Sequence, residues 1–115
     1  MGRLIYGPAA REMEIEDRAL AHLQIVVVAK LRRGESFAFT WQREPEDAGS
    51  QHVIWIHPAI FLEFVFTEGR RGPLNRVWID ELMAKANSVT GLELFPEPEQ
   101  VEAPAGTRTR VTAVN

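Results

Sequence analysis

The chain has no cysteine, hardly any lysine, and no apolar run of membrane length. The first absence excludes disulfides, thiolate metal sites and cysteine nucleophiles, and it suits a reducing compartment, so a cytoplasmic location is the expectation. The longest apolar run covers residues 25–29, far short of the roughly 20 residues a membrane helix needs. No basic segment near the N-terminus leads into an apolar core, so neither an export signal nor a membrane role is expected. Charge of one sign is also missing: the net value is −3, too small and of the wrong sign to draw nucleic acid in bulk. Lysine supplies only Lys30 and Lys85 among the 13 basic residues, and the rest are arginines. Arginine's planar fork favours two-point contacts to phosphate or carboxylate. An arginine-rich genomic style accounts for the same count.

What is present fits one ordinary globular domain. A chain of 115 residues with 45% hydrophobic and 25% charged residues can bury a single core. Residues 3–6 and 13–15 read as short strands around a Gly-Pro loop, with Met13 and Ile15 alternating against Glu12, Glu14 and Glu16. Asp17 is placed to cap a helix, along which Leu20, Leu23, Val27 and Leu31 recur at three- and four-residue steps until Gly34. The β-branched run at residues 25–28 favours strand locally, but the longer period and both end signals favour helix.

A strand at residues 37–42, a loop rich in Pro, Asp and Gly, and a second strand at residues 51–57 follow. Residues 61–66 are apolar almost throughout, as in a central strand covered on both faces. After a tight loop at residues 69–72, Pro73 opens a second helix whose buried side carries Trp78, Ile79, Leu82, Ala86 and Val89. A last strand covers residues 92–95. The order β-β-α-β-β-β-α-β predicts an α+β fold with a single, mostly antiparallel sheet and two helices on one face. The domain spans residues 1–95, and residues 96–115 form a proline-bearing tail without hydrophobic period, expected to be disordered.

The search for chemistry starts at Lys30, four residues before Gly34, where spacing resembles the K-x-D-G core of nucleotide-accepting lysines. Arg32 stands in the acidic position, and cations followed by glycine are ordinary features of a helix end, so Lys30 is read as a helix-end cation. His52 and His57 are five residues apart on a strand, which turns them to opposite faces and rules out joint chelation. Glu12, Glu14, Glu16 and Asp17 are read as a solvated strand face in preference to a calcium site. No metal or cofactor is expected.

Two surfaces stand out. Arg70 and Arg71 lie between glycines and lead into the second helix, whose unpaired first amides attract anions. With Arg76, Asn75 and the more distant Arg32 and Arg33, they form a candidate site for nucleic acid or a phosphate-bearing ligand. Asn75 itself is expected to pin a neighbouring loop. On the first helix, Ile25 and Val26 lie off the core line near His22 on the polar side, which points to a homodimer interface.

The segments MGRLIYG, EIEDRALAHLQ, AKLRRGESF, VIWIHPAI and LNRVWIDELMAKANS, followed by GL and PEP, resemble an uncharacterised family of small actinobacterial proteins commonly catalogued as ATP-dependent DNA ligase. The resemblance covers residues 1–98 and carries no adenylation motif. It implies an accessory or DNA-contacting module of a larger enzyme. The functional expectation is therefore a non-catalytic module that binds nucleic acid or phosphate, with a homodimeric interaction module as the alternative.

Overall fold

The computed structural model describes residues 1–41, 51–68 and 72–100. Its elements run β1 (Gly2–Tyr6), β2 (Arg11–Ile15), α1 (Asp17–Arg32), β3 (Phe37–Trp41), β4 (His52–Ile56), β5 (Leu62–Val65), α2 (Arg76–Ala86) and β6 (Leu92–Glu93). The α+β class and the element order follow the sequence pattern. The single sheet does not: there are two three-stranded sheets, ordered β2-β1-β5 and β4-β3-β6.

The division arises after β4. His57 and Pro58 begin a turn closed by the Ile60 amide on the His57 carbonyl, and the chain emerges facing β1. There it pairs antiparallel, Tyr6 opposite Leu62 and Arg3 opposite Val65. The segment expected to be central is thus an outer strand, with Glu63 exposed between half-buried Leu62 and Phe64. In the second sheet β3 pairs antiparallel with β4 and parallel with the short β6, Phe39 opposite Leu92. The sheets are joined where the β1–β2 hairpin meets β4: the Tyr6 hydroxyl donates to the Trp55 carbonyl, and the Arg11 guanidinium lies 3.3 Å from His52 Nδ1.

Helix α1 is the centre of the molecule. Leu20, Leu23 and Val27 are fully buried, as the periodicity requires, but so are His22 and Val26 on the adjoining side, with Ala21 nearly so. The extra burial comes from α2, which runs beside α1 in the same direction. Asn75 and Trp78 at the start of α2 meet His22, and Asn87 beyond its end meets Lys30. The core joins Leu4, Met13 and Ile15 of one sheet to Phe37, Phe39, Ile56 and Leu92 of the other through α1, Trp78 and Leu82. Each large apolar side chain buried there contributes roughly 1.5–3 kcal/mol.

The helix ends differ from the sequence reading by a few residues. Glu16 occupies the N-cap position of α1 and Asp17 is the first helical residue. Helix α2 begins at Arg76 and not near Pro73, because Asn75 caps it by accepting from the Trp78 amide. It ends before Val89, which is fully exposed. Gly91 then turns at φ 87° beneath β3, where an added Cβ would sit 2.8 Å from the Ala38 carbonyl oxygen.

Candidate functional site

The residues singled out around α2 divide into three groups. Arg70 and Arg71 lie outside the described residues. Asn75 is buried and used structurally: its Oδ1 caps α2, and its Nδ2 donates to Glu97 Oε2 and to the Pro98 carbonyl, both at 2.9 Å. Arg76 is exposed, as are Arg32 and Arg33 at the far end of the parallel helix pair. Eleven residues of helix separate the two ends, about 16 Å at 1.5 Å per residue. The described arginines therefore do not converge on one patch, and Arg33 already donates to Glu35.

An anion does stand beside the entrance of α2, and it belongs to the chain itself. Glu97 receives both arms of the Arg18 fork at 2.8 Å and the Asn75 amide, while Arg18 Nη1 donates to the Pro73 carbonyl. The Arg18 fork, helped by Asn75, holds the Glu97 carboxyl down at about 2. This cluster fastens the segment after β6 to both helices, including Glu97 and Pro98, which composition assigns to the tail.

His22 completes the cluster from within. It is fully buried, with its ring 4.6 Å from that of Trp78. The Asn75 amide donates to Nε2 at 2.7 Å, so Nε2 accepts and the proton resides on Nδ1, which donates to the Arg18 carbonyl at 2.7 Å. His22 and Val26 are thus interior to the monomer, and of the three residues expected at a dimer face only Ile25 is exposed. Lys30 is also interior, 6% exposed, and it ties the helix ends together by donating to Asn87 Oδ1 at 2.6 Å and to Glu35 Oε1 at 3.1 Å.

Asp17 serves a similar purpose at the other end of α1. Its Oδ2 accepts from the Thr67 and Glu68 amides at 3.1 and 2.7 Å, which anchors the chain entering the arginine loop. Its Oδ1 lies where a side chain on residue 2 would fall, 2.5 Å from an added Cβ on Gly2. Among the described residues no group of three or more His, Cys, Asp or Glu converges as a metal site, and no helix is long and apolar enough to cross a membrane.

A broad concavity lies elsewhere, between the two sheets. This cleft of about 1120 Å³ is walled by Glu12, Glu14 and Glu16 from β2 and its end, and by Thr40, Trp41, Glu93, Leu94 and Phe95 from the facing sheet. Ala19, Trp78 and the Arg18–Glu97 pair complete it. Its volume exceeds the roughly 300–1,000 Å³ of small-molecule pockets. Among the described residues β2 pairs only with β1, so its other edge carries backbone donors and acceptors without a strand partner.

The cleft is acidic. Glu97 is neutralised by Arg18, which also attracts Glu16, and Glu12 has Arg3 at 3.9 Å, but Glu14 and Glu93 have no cation within 4 Å among the described residues. The indole N–H of Trp78, a residue only 2% exposed on the cleft wall, has no acceptor among the described residues. Sequence reasoning saw the alternating carboxylates of β2 as a solvated face. It missed the opposing wall, because nothing in the residues 40–41 and 93–97 announces that they will face β2.

A family model described as Domain of unknown function (DUF7882) matches residues 1–97. That description carries no ligase designation. No curated protein and no solved structure matches the chain.

Proposed function

For this chain, a member of the DUF7882 family, we propose a non-catalytic binding module that captures an extended, arginine- or lysine-bearing peptide along the edge of β2. The observation that carries the reading is one strand edge, without a strand partner among the described residues, with Glu12, Glu14 and Glu16 alternating beside a cleft backed by Trp41 and Phe95. An added strand gains main-chain hydrogen bonds from such an edge, and its alternate side chains supply specificity. Basic residues at every second position of the ligand would stand beside the carboxylates of β2, since side chains two apart share a face. The aromatic wall would meet the ligand's other face.

The same arrangement argues against nucleic acid as the ligand of this cleft, since phosphates would meet its carboxylates. An accessory role beside a ligase, which the family resemblance implied, would then be exercised through a protein contact. The test is calorimetric titration with a short peptide of alternating Arg and Thr. Saturable binding is expected, weakening about tenfold in a Glu14→Gln, Glu16→Gln double variant, because cross-strand ion pairs contribute roughly 0.2–1 kcal/mol each. Equal binding by both proteins, or none by either, sinks the reading.

A dimer remains the second reading because Ile25 and Val28, one turn apart on α1, are 41% and 38% exposed. Light scattering at high concentration checks it: a dimer mass converted to a monomer mass by Ile25→Glu is the expected outcome.

A further inference from the structure

A smaller cavity of about 370 Å³ lies where both helices end, and it shares no lining residue with the acidic cleft. Lys30, Glu35 and Phe37 line it from the exit of α1, Asn87 and Val89 from the exit of α2, and Trp55 from β4. Its size falls at the lower end of the range for small-molecule sites.

The Lys30 ammonium belongs to the wall of this cavity. All three groups that surround it are lining residues: Asn87 Oδ1 at 2.6 Å, Glu35 Oε1 at 3.1 Å and the Phe37 ring, whose centroid is 5.8 Å away. The two polar contacts use two of its three N–H groups. Because Asn87 accepts through Oδ1, the other end of its amide is a donor. Ser36, which also lines the cavity, adds a hydroxyl. The charges do not balance: Glu35 is shared between Lys30 and Arg33, so two cations face one carboxylate. Helix C-termini repel anions through their free carbonyls, but those nearest are engaged, the Lys30 carbonyl by the Arg33 and Glu35 amides and the Lys85 carbonyl by the Ser88 amide. The opposite wall is apolar and accessible, with Trp55 59% exposed and Val89 fully so.

We propose that this cavity binds a small carboxylate carried on a flat apolar body. The carboxylate accepts from the Lys30 ammonium and the Asn87 amide, and the body lies against the Trp55 indole and Val89. A charge-assisted bond from an ammonium already fixed by two partners needs no side-chain ordering on binding, and an indole face offers a flat ligand offset stacking. The site is a second one, independent of the peptide reading of the cleft.

The experiment is a titration of the full chain with benzoate and, separately, with neutral benzamide, followed by NMR at the Trp55 indole N–H and the Ser36 and Ser88 amides. Expected are saturable shifts at these groups with benzoate, and binding of benzamide at least tenfold weaker. Lys30→Met should abolish the preference for benzoate. Since Lys30 also ties the helix ends together, exposed Trp55 supplies a second variant that does not depend on the core: Trp55→Ala should weaken benzoate at least fivefold. Absence of saturable shifts at these groups overturns the proposal. So does benzamide binding equal to that of benzoate, or benzoate binding that Trp55→Ala leaves unchanged. None of these outcomes alters the test of the peptide cleft.

Discussion

His22 shows how a polar side chain is retained in this interior. Both ring nitrogens are bonded, one to an amide at the start of α2 and one to a carbonyl of α1, so the ring acts as a fixed bridge between helices. His22→Phe keeps an aromatic ring and leaves the buried Asn75 amide unpaired, which costs about 1–3 kcal/mol. Urea denaturation is expected to show that loss as a lower midpoint with an unchanged slope. Gly2 is constrained by contact and not by φ, since a Cβ would meet Asp17 Oδ1 at 2.5 Å and the Val65 carbonyl at 2.6 Å. Gly2→Ala is expected to cost roughly 1–3 kcal/mol, read as a lower Tm.

Glu97 adds a pH dependence. Its carboxyl is held at about 2 in the folded protein, against 4.5 ordinarily, so the unfolded chain takes up the proton first on acidification. The stability this group contributes is complete above about pH 4.5 and is lost as pH falls toward 2. Comparing Glu97→Gln with the wild type by denaturation at pH 7, 4 and 2.5 checks the sign: the difference in stability present at pH 7 should shrink steadily with acid. Its partly exposed setting keeps the effect modest.

Among the elements, α1 carries the fold, being packed by the first sheet and by α2. Leu23 and Trp78 meet in the same core, the first fully buried and the second 2% exposed. Replacing either with Ala should cost about 2–5 kcal/mol in chemical denaturation, and near-zero shifts for both would contradict this packing. The two helices were legible in the sequence because their apolar period repeats over several turns, and Gly34 and Gly91 mark where the chain turns away. The width of the buried side of α1 was not. Periodicity locates one contact line, and the second helix that covers His22 and Val26 is distant in sequence. Strand β5 was misplaced in the sheet for a related reason: its run of apolar residues states how much is covered, not which strand does the covering.

At the scale of the molecule, the two small sheets leave an acidic gap between them. Its carboxylates sit beside a strand edge that has no strand partner among the described residues, so binding there should be sensitive to screening. Peptide affinity in the cleft is expected to fall several-fold when salt is raised from 0.05 to about 0.5 M, since the Debye length shortens from roughly 14 to 4 Å. An affinity indifferent to salt would mean that the carboxylates of β2 take no part. The arginines first read as a single surface are divided here between the two ends of a parallel helix pair, with Arg70 and Arg71 outside the described residues.

The sequence by itself determined the α+β class, the order of the elements, the two helices and most of the core, because each depends on residues within a few turns or strand repeats of one another. It also set the alternation of Glu12, Glu14 and Glu16 on one face. Only the tertiary structure decided that β5 returns to β1, that the sheet is two sheets, and that Glu97 docks on Arg18 and Asn75. Those choices are pairings between segments up to 79 residues apart, fixed by which surfaces fit once α1 is covered on both sides, and no local pattern encodes them.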